Sequence, residues 1–222
     1  MWNKTGGSRI VKSPAARLEV LTGGKPWSSA TKPADPLAAN FVVRPATPED
    51  GAYHPFLVKF LLISALSLLI GTLHGMLQVM PPIRAWLDSI GSPYGGPGHM
   101  IDPLAHAHMN LVGGVVMLIM GVTYYLLPIL SGRPLYSLRL IQHSFWLMTI
   151  GVYVFYTIQM VFGIWEGNLM LSDPGAMAAV HHWYGRLAAI AGTMMAAGFL
   201  AYFINIALTM LSRPLPVAQI SE

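Results

Sequence analysis

The 222-residue sequence is 54% hydrophobic and only 10% charged. Because soluble domains carry charge at about a quarter of their positions, this composition excludes an ordinary soluble domain and indicates a membrane protein. The sequence has no cysteine, which excludes disulfides, thiolate metal sites, iron–sulfur clusters and thioether-linked haem. The net charge of +4 is spread along tails and short loops without a basic helix, so we expect no nucleic-acid partner.

The N-terminal 55 residues mix Pro, Ala, Gly, Ser and Lys and contain no long apolar run. Such a segment has too little apolar surface to fold alone, and it lacks the apolar core of a signal peptide. We therefore predict a cytoplasmic tail over residues 1–55 that is largely without regular structure. Four aromatic residues leave open that the tail is anchored on a partner: Trp2, Trp27, Phe41 and Tyr53.

Four apolar stretches follow, and each is long enough to cross about 30 Å of hydrocarbon at about 1.5 Å of rise per residue. They run approximately from Phe56 to Met80, from Leu104 to Leu130, from Ile141 to Trp165 and from Ala178 to Leu211. The predicted fold class is an all-α membrane protein. It is a four-transmembrane-helix bundle over residues 56–212, with the extended N-terminal tail and a short C-terminal tail over residues 213–222.

Proline and glycine mark the ends of these spans. Pro81 and Pro82 predict the end of the first span, and Pro103 suits the first turn of the second. The Gly-rich segment 95–98 predicts a loop between the two spans. The short segment 131–137 predicts a tight turn, so the second and third spans should be antiparallel neighbours.

Basic residues near the span ends are divided unequally between the two sides of the membrane. Five lie on the side of the N-terminus and two on the other; the five are Arg44, Lys59, Arg133, Arg139 and Arg213, and the two are Arg84 and Arg186. The positive-inside rule therefore predicts a multi-pass protein of the bacterial inner (cytoplasmic) membrane with both termini cytoplasmic. The loops from about Pro81 to Pro103 and from about Glu166 to Met177 would then face outside.

Histidine is uncommon within membrane spans because both ring nitrogens must be satisfied there, so each such residue is a candidate for function. Five candidates lie towards the outer face: His74 in the first span, His106 and His108 in the second, and His181 and His182 in the fourth. We expect these five rings at similar depth, with His143 near the opposite face. A single such histidine is more often a hydrogen-bonding residue, but five at one depth favour a ligand site.

The two-residue separation of His106 and His108 turns their side chains about 200° apart on a helix. Either they serve two sites on opposite faces of the span, or one is a ligand while the other forms hydrogen bonds. Haem suits this pattern, because each b-type iron takes one axial imidazole from each of two helices. Glycines near the histidines, among them Gly71, Gly75 and Gly113, either admit a flat porphyrin or serve ordinary helix packing.

The axial candidates for haem iron are His108, His74 and His182, and the wider cofactor-binding set adds His106, His181 and Arg186. Arg186 lies one turn beyond His182, where its guanidinium either pairs with a haem propionate or extends to the membrane interface. The 14 methionines are interpreted mainly as apolar filler, although a thioether could hold copper. The predicted cofactor is haem b, in one or two copies, with copper as the weaker alternative.

Two stretches of the sequence resemble subunit I of haem–copper oxidases, most closely the cbb-type oxidases and nitric oxide reductases. They are HAHMNLVGGVVMLIMGVTYYLLPILSGRPLYSLRL from His106 and HSFWLMTIGVYVFYTIQMVFGI from His143. The shared features are the His-x-His pair, Pro128 and the turn Pro134 to Ser137, and the similarity covers about residues 57–212. The resemblance implies that His-x-His gives axial ligands to haem, with His108 at the low-spin haem.

The sequence also departs from that family, whose subunits have many more than four spans. The helix that bears a histidine beside the active-site tyrosine has no counterpart, and the pair His181-His182 resembles the paired copper ligands only superficially. The resemblance therefore implies a shortened relative that kept haem binding and lost the oxygen-reducing or nitric-oxide-reducing centre.

The resulting hypothesis is a membrane cytochrome b subunit that binds one or two b haems near the outer face and transfers electrons in a respiratory complex. Its expected partners are other membrane subunits of that complex, an external cytochrome c or similar carrier, and lipid. Two alternatives stay open. One is a non-redox accessory or scaffold subunit; the other is a catalytic subunit whose copper or iron is held by His181, His182 and a histidine of the second span.

Overall fold

The computed structural model describes residues 54–213, which form helices joined by short connections. The helices are α1 (His54–Gln78), α2 (Pro81–Ser89), α3 (Gly96–Ser131), α4 (Leu138–Ser172) and α5 (Pro174–Leu211). All except α2 are long and apolar enough to cross a membrane. The predicted fold class, an all-α four-transmembrane-helix bundle, is confirmed for these residues. Residues 1–53 of the predicted N-terminal tail and the end of the C-terminal tail lie outside them, whereas positions 54 and 55 belong to α1.

The second span differs from its predicted bounds. Helix α3 begins at Gly96, within the segment predicted as a loop, and its path is interrupted at Asp102 (φ −129°, ψ 111°). Asp102 precedes Pro103, and proline disfavours helical backbone in the residue before it. Pro103 therefore follows a break inside the span instead of opening the span.

The loop predicted from Glu166 to Met177 is almost entirely helical, because Asp173 alone connects α4 to α5. The Asp173 carboxylate accepts a hydrogen bond from the Ala176 amide (3.3 Å), and Pro174 occupies the first helical position of α5. Both features favour a helix start. With 35 and 38 residues, α4 and α5 are each about 50 Å long or more, so they extend past a hydrocarbon layer of about 30 Å.

Exposed tryptophans indicate where the hydrocarbon layer lies along these helices. Trp146 and Trp165 of α4 are each 51% exposed, and their separation of 19 residues corresponds to about 28 Å of rise. Trp183 of α5 is 57% exposed and lies near the level of Trp165. Because tryptophan is enriched at both membrane–water interfaces, these levels are here called the Trp146 boundary and the Trp165 boundary.

The spans lie in the order α1, α3, α4 and α5, each packed against the next. The core near the Trp146 boundary is apolar and aromatic. The Phe60 ring centroid lies 5.0 Å from that of Phe145 and 5.9 Å from that of Tyr124, both in the edge-to-face geometry that aromatic pairs prefer. Helix α5 is the least buried of the four spans.

The turn between α3 and α4 is bound to α5 by polar side chains. The Asn205 side chain accepts a hydrogen bond from the Ser137 amide (3.0 Å) and donates one to the Ser137 carbonyl (3.1 Å). The Thr209 hydroxyl accepts a hydrogen bond from the Tyr136 amide (3.0 Å). Because the turn is this short, α3 and α4 are antiparallel neighbours, as predicted.

The glycines of α1 and α3 serve close helix packing. A Cβ on Gly75 would lie 2.5 Å from the His106 ring, and Gly71 faces Asn110 in the same way. A Cβ on Gly113 would lie 2.9 Å from Ser67 Cβ. Of the two interpretations of these glycines, the contacts favour helix packing over the admission of a porphyrin.

The replacement Gly113→Val tests this packing, because Gly113 lies where α1, α3 and α4 meet. The new side chain would overlap Ser67, and also Val152, whose Cγ1 is 3.1 Å from the Cβ position. We expect a loss of stability of about 1–3 kcal/mol from overpacking, measured by thermal unfolding in detergent. Gly192→Val is the matched control, since a Cβ there has nothing within 4 Å. An equal loss in both variants would contradict this account.

Candidate functional site

Five polar side chains meet between α1, α3 and α4, and we call them the polar layer: His74, Gln78, His106, Asn110 and Tyr156. His74 is 7% exposed and Gln78 is 6% exposed. The His74 ring centroid lies 5.8 Å from that of His106 and 5.7 Å from that of Tyr156. Tyr156 precedes Trp165 by nine residues, or about 14 Å of rise, so the layer lies within the hydrocarbon region.

Hydrogen bonds fix the tautomer of His74. Gln78 Nε2 donates to the Ile101 carbonyl (3.1 Å) and to His74 Nε2 (3.0 Å). With Nε2 as an acceptor, the neutral ring carries its proton on Nδ1, which donates to the Tyr156 hydroxyl (3.3 Å). Both nitrogens of His74 are therefore used within the chain.

His106 is less completely bonded than His74. Asn110 Nδ2 donates to His106 Nε2 (3.3 Å), so the neutral ring carries its proton on Nδ1. His106 Nδ1 is buried, and no described residue is its hydrogen-bond partner. The layer thus contains one unpaired ring donor.

His108 points to the other side of α3, as the two-residue spacing predicts. Its Nδ1 donates to the Leu104 carbonyl (2.8 Å), and its ring centroid lies 4.7 Å from that of Phe155. Within residues 54–213 its Nε2 makes no hydrogen bond. The same face of α3 continues through Leu111 (58% exposed) and Val115 (40% exposed). An imidazole whose Nδ1 is bound to a carbonyl and whose Nε2 is free is suited to metal ligation.

The histidines of α5 lie at the Trp165 boundary. His181 Nδ1 is 2.9 Å from Glu166 Oε2, and the Glu166 side chain is 1% exposed while that of His181 is 57% exposed. His182 is exposed beside Trp183. The Arg186 guanidinium lies 5.2 Å from the centre of the Trp183 ring, which is a cation–π contact.

The expectation that all five histidine rings share one depth is wrong. Tyr156, which binds His74, and Glu166, which binds His181, are ten residues apart on α4, or about 15 Å along the helix. His181 and His182 are therefore too far along the bundle to share a metal with His106 or His108, as the copper or iron alternative required. Residues 54–213 contain no group of three or more His, Cys, Asp or Glu side chains that could hold a metal ion.

Among the three axial candidates, one histidine lies where it could bind haem iron. His74 has both nitrogens bonded and lies between closely packed helices, so it does not fit an axial ligand here. His108 fits, because its free Nε2 lies on an open apolar face. His182 is also exposed, but it lies near the Trp165 boundary. The described residues do not bring His108 together with His74 or His182, the other two axial candidates, and the ligand role of His108 stays a prediction.

Sequence reasoning missed the amide, hydroxyl and carboxyl partners of these histidines. A carboxylate within an apolar span is a recognised functional signal, but Glu166 was placed in a predicted loop. Gln78 and Tyr156 carry no comparable signal. His143 was expected to lie apart from the other histidines, and its Nδ1 bonds to the Arg139 carbonyl (2.6 Å) near the start of α4.

A charged network anchors α2 on the break in α3. Arg84 lies 2.5 Å from Asp88 and 2.6 Å from Asp102, and it donates to the Ser92 hydroxyl (2.9 Å). The hydrogen bonds to Asp88 and then to Asp102 raise the pKa of Arg84 above its usual range. A cation with a raised pKa loses its stabilising contribution only as the pH rises through that value. The Arg84 guanidinium therefore stays charged throughout the working pH range of proteins.

The fold and these side chains define a multi-pass membrane protein with a polar layer inside its hydrocarbon region and a ligand-type histidine on the open face of α3. Residues 103–193 match the protein family described as "Cytochrome C and Quinol oxidase polypeptide I". The matched segment begins just after the break in α3 and includes His106, His108, His181 and His182.

Three curated relatives extend this similarity. The "Cytochrome c oxidase subunit 1 homolog" of Agrobacterium tumefaciens (strain T37) is 34% identical over 119 residues, covering 49% of this chain and 22% of the relative. The "Cytochrome c oxidase subunit 1" of Rhodobacter capsulatus is 36% identical over 107 residues, covering 41% and 20%. The "Cbb3-type cytochrome c oxidase subunit CcoN1" of Stutzerimonas stutzeri is 27% identical over 136 residues, covering 58% and 26%.

The chain is thus similar, over part of its length, to subunit I of haem–copper oxidases. The aligned part spans about a fifth to a quarter of the length of these curated relatives. The resemblance stated from the His-x-His pair and the following turn is confirmed.

The Arg84 network yields a prediction about local stability. Arg84→Gln removes the charge that joins Asp88 to Asp102, so backbone amides of residues 90–102 should exchange with deuterium several-fold faster, as measured by mass spectrometry. Arg186→Gln is the matched control, because Arg186 is exposed on α5 and contacts Trp183. Unchanged exchange in the Arg84 variant would show that α2 is held by its apolar contacts alone.

Proposed function

We propose that this chain is a haem-binding, electron-transferring membrane subunit of a respiratory complex, in which His108 supplies one axial ligand to a b-type haem. Support comes from the family match, which includes His108, and from relatives named as cytochrome c oxidase subunits. The proposal concerns electron transfer, with no claim that this chain reduces oxygen.

The observation that carries the proposal is the geometry of His108. The hydrogen bond from Nδ1 to the Leu104 carbonyl (2.8 Å) fixes the tautomer, so that Nε2 holds the free lone pair. Phe155 limits rotation of the ring, and the exposed Leu111 and Val115 extend the same face. A flat apolar ligand can lie there without separating two helices. When bound, a b-type haem supplies one-electron redox chemistry.

The second axial ligand would come from outside the described residues, because no other described histidine accompanies His108 on its face. We therefore place the haem of this proposal at an interface with another membrane subunit, which supplies the second ligand. An external carrier such as cytochrome c is the proposed electron partner. The unequal distribution of basic residues supports a bacterial inner-membrane location with cytoplasmic termini.

A non-redox scaffold subunit is the second candidate function. Its support is the bonding of His74: both ring nitrogens form hydrogen bonds within the chain, one with Gln78 and one with Tyr156. A pyridine haemochrome assay on the purified complex, with haem counted per copy of this chain, separates the two candidates. The scaffold function requires that no haem depends on this chain.

His108→Ala should abolish or strongly disturb the low-spin haem absorbance of the complex, because it removes the proposed axial nitrogen. The measurement is the reduced-minus-oxidised spectrum at equal amounts of assembled protein. His143→Ala is the control, since His143 lies near the opposite end of α4 and should leave the spectrum intact. A full haem content with an unchanged spectrum in His108→Ala would refute the assignment.

The proposed sidedness is testable with single cysteines, since the native sequence has none. Ser92 is 6% exposed and bonded to Arg84, whereas Tyr94 is 96% exposed, so Tyr94 is the better site in that loop. Cysteines replacing Tyr94 and Ser172 should react with a membrane-impermeant thiol reagent added to spheroplasts. A cysteine replacing Pro134 should stay protected. Labelling at position 134 with protection at positions 94 and 172 would show that the topology is inverted, and it would exclude an external electron carrier.

A further inference from the structure

Gln159 of α4 is an anomaly within the membrane region. Its side chain is fully buried (0% exposed), and neither its amide nitrogen nor its amide oxygen has a hydrogen-bond partner among the described residues. A primary amide that leaves water without replacement hydrogen bonds is costly, and the cost is greatest in apolar surroundings. The buried amide of Gln159 therefore indicates a hydrogen-bonding partner that is small enough to lie inside the bundle.

The neighbours of Gln159 on α4 show its level along the bundle. Phe155, four residues before it, contacts His108, and Gly163, four residues after it, faces Ile101. Gln159 therefore lies opposite the part of α3 midway between Ile101 and His108, about 2 Å of helix rise from the level of His106. Tyr156, which belongs to the layer, is one turn away on the same helix.

His106 supplies the second unpaired group at this level. Its Nδ1 is buried without a partner, while its Nε2 is engaged by Asn110. Gln159 offers two donor hydrogens and an acceptor oxygen, and His106 offers one further donor. These groups include both donors and an acceptor, so they suit a small ligand that itself donates and accepts hydrogen bonds.

We infer that Gln159 and the polar layer form an internal binding site for water. Buried water typically makes about three hydrogen bonds to polar groups that would otherwise stay unpaired. Water at this site would bond to the Gln159 amide and His106 Nδ1. The site lies about 9 Å inside the Trp165 boundary, from the six residues between Gln159 and Trp165. This inference is independent of the proposed haem.

X-ray hydroxyl-radical footprinting of the full chain in lipid nanodiscs tests the inference, because bound water is a local source of radicals. Tyr156 is the reporter, and Tyr202 is the reference. Both tyrosines are half-buried, and Tyr202 packs on the apolar core. We expect Tyr156 to be oxidised several-fold faster than Tyr202 in the native chain. Since Tyr202 lies nearer a membrane boundary, water entering from the bulk would favour the opposite order.

Gln159→Leu should lower the oxidation rate of Tyr156 to about that of Tyr202, because it removes the amide that holds the water. Thr149→Val is the matched control: it removes another buried unpaired oxygen on α4, about 15 Å away along the helix, and should leave Tyr156 unchanged. The inference is overturned if Tyr156 is as slow as Tyr202 in the native chain, or if Gln159→Leu leaves it fast. It is also overturned if both variants slow it equally. If Gln159→Leu does not fold, the oxidation rates of Tyr156 and Tyr202 in the native chain test the inference by themselves.

Discussion

The close approach of α1 to α3 is the constraint on which the rest of the described structure depends. Gly71 and Gly75 allow the side chains of Asn110 and His106 to lie against the α1 backbone. Within hydrocarbon, a polar side chain must find its partners inside the protein. The contact between these two helices therefore both creates the polar layer and closes it from lipid. A wider separation would open the layer and leave His74 without the neighbours that satisfy it.

This constraint divides the two histidines of α3 into different chemical environments. His106 lies against α1, where Gly75 faces its ring. His108, two residues later, lies on the face that continues into exposed apolar side chains. The break at Asp102 precedes the pair, and the π-helical segment Met109–Val116 follows it; π-helical segments occur frequently at functional sites. Within one turn of α3, His106 therefore contacts polar groups inside the bundle, and His108 is available to a ligand outside it.

The sequence predicted the four spans because their length and apolar composition follow directly from the thickness of a bilayer. It also predicted that His106 and His108 face apart, since that depends only on helix geometry. The depth of the histidines of α5 was not predictable in the same way. It depends on the single-residue connection at Asp173, which extends α4 and α5 beyond the bilayer, and proline and glycine near Asp173 are equally typical of a longer loop. Tyr156 and Gln78 became part of the site only through contacts between helices.

The bonds at the two ends of α5 have a mechanical consequence. At one end Asp173 joins α5 to α4 without slack, and at the other Asn205 binds Ser137 while Arg133 donates to the Met210 carbonyl. A rod fixed at both ends resists sliding and rotation, and its softest deformation is bending at its middle. Contact of a neighbouring protein with the long exposed side of α5 would therefore leave the two ends of α5 in register with α4.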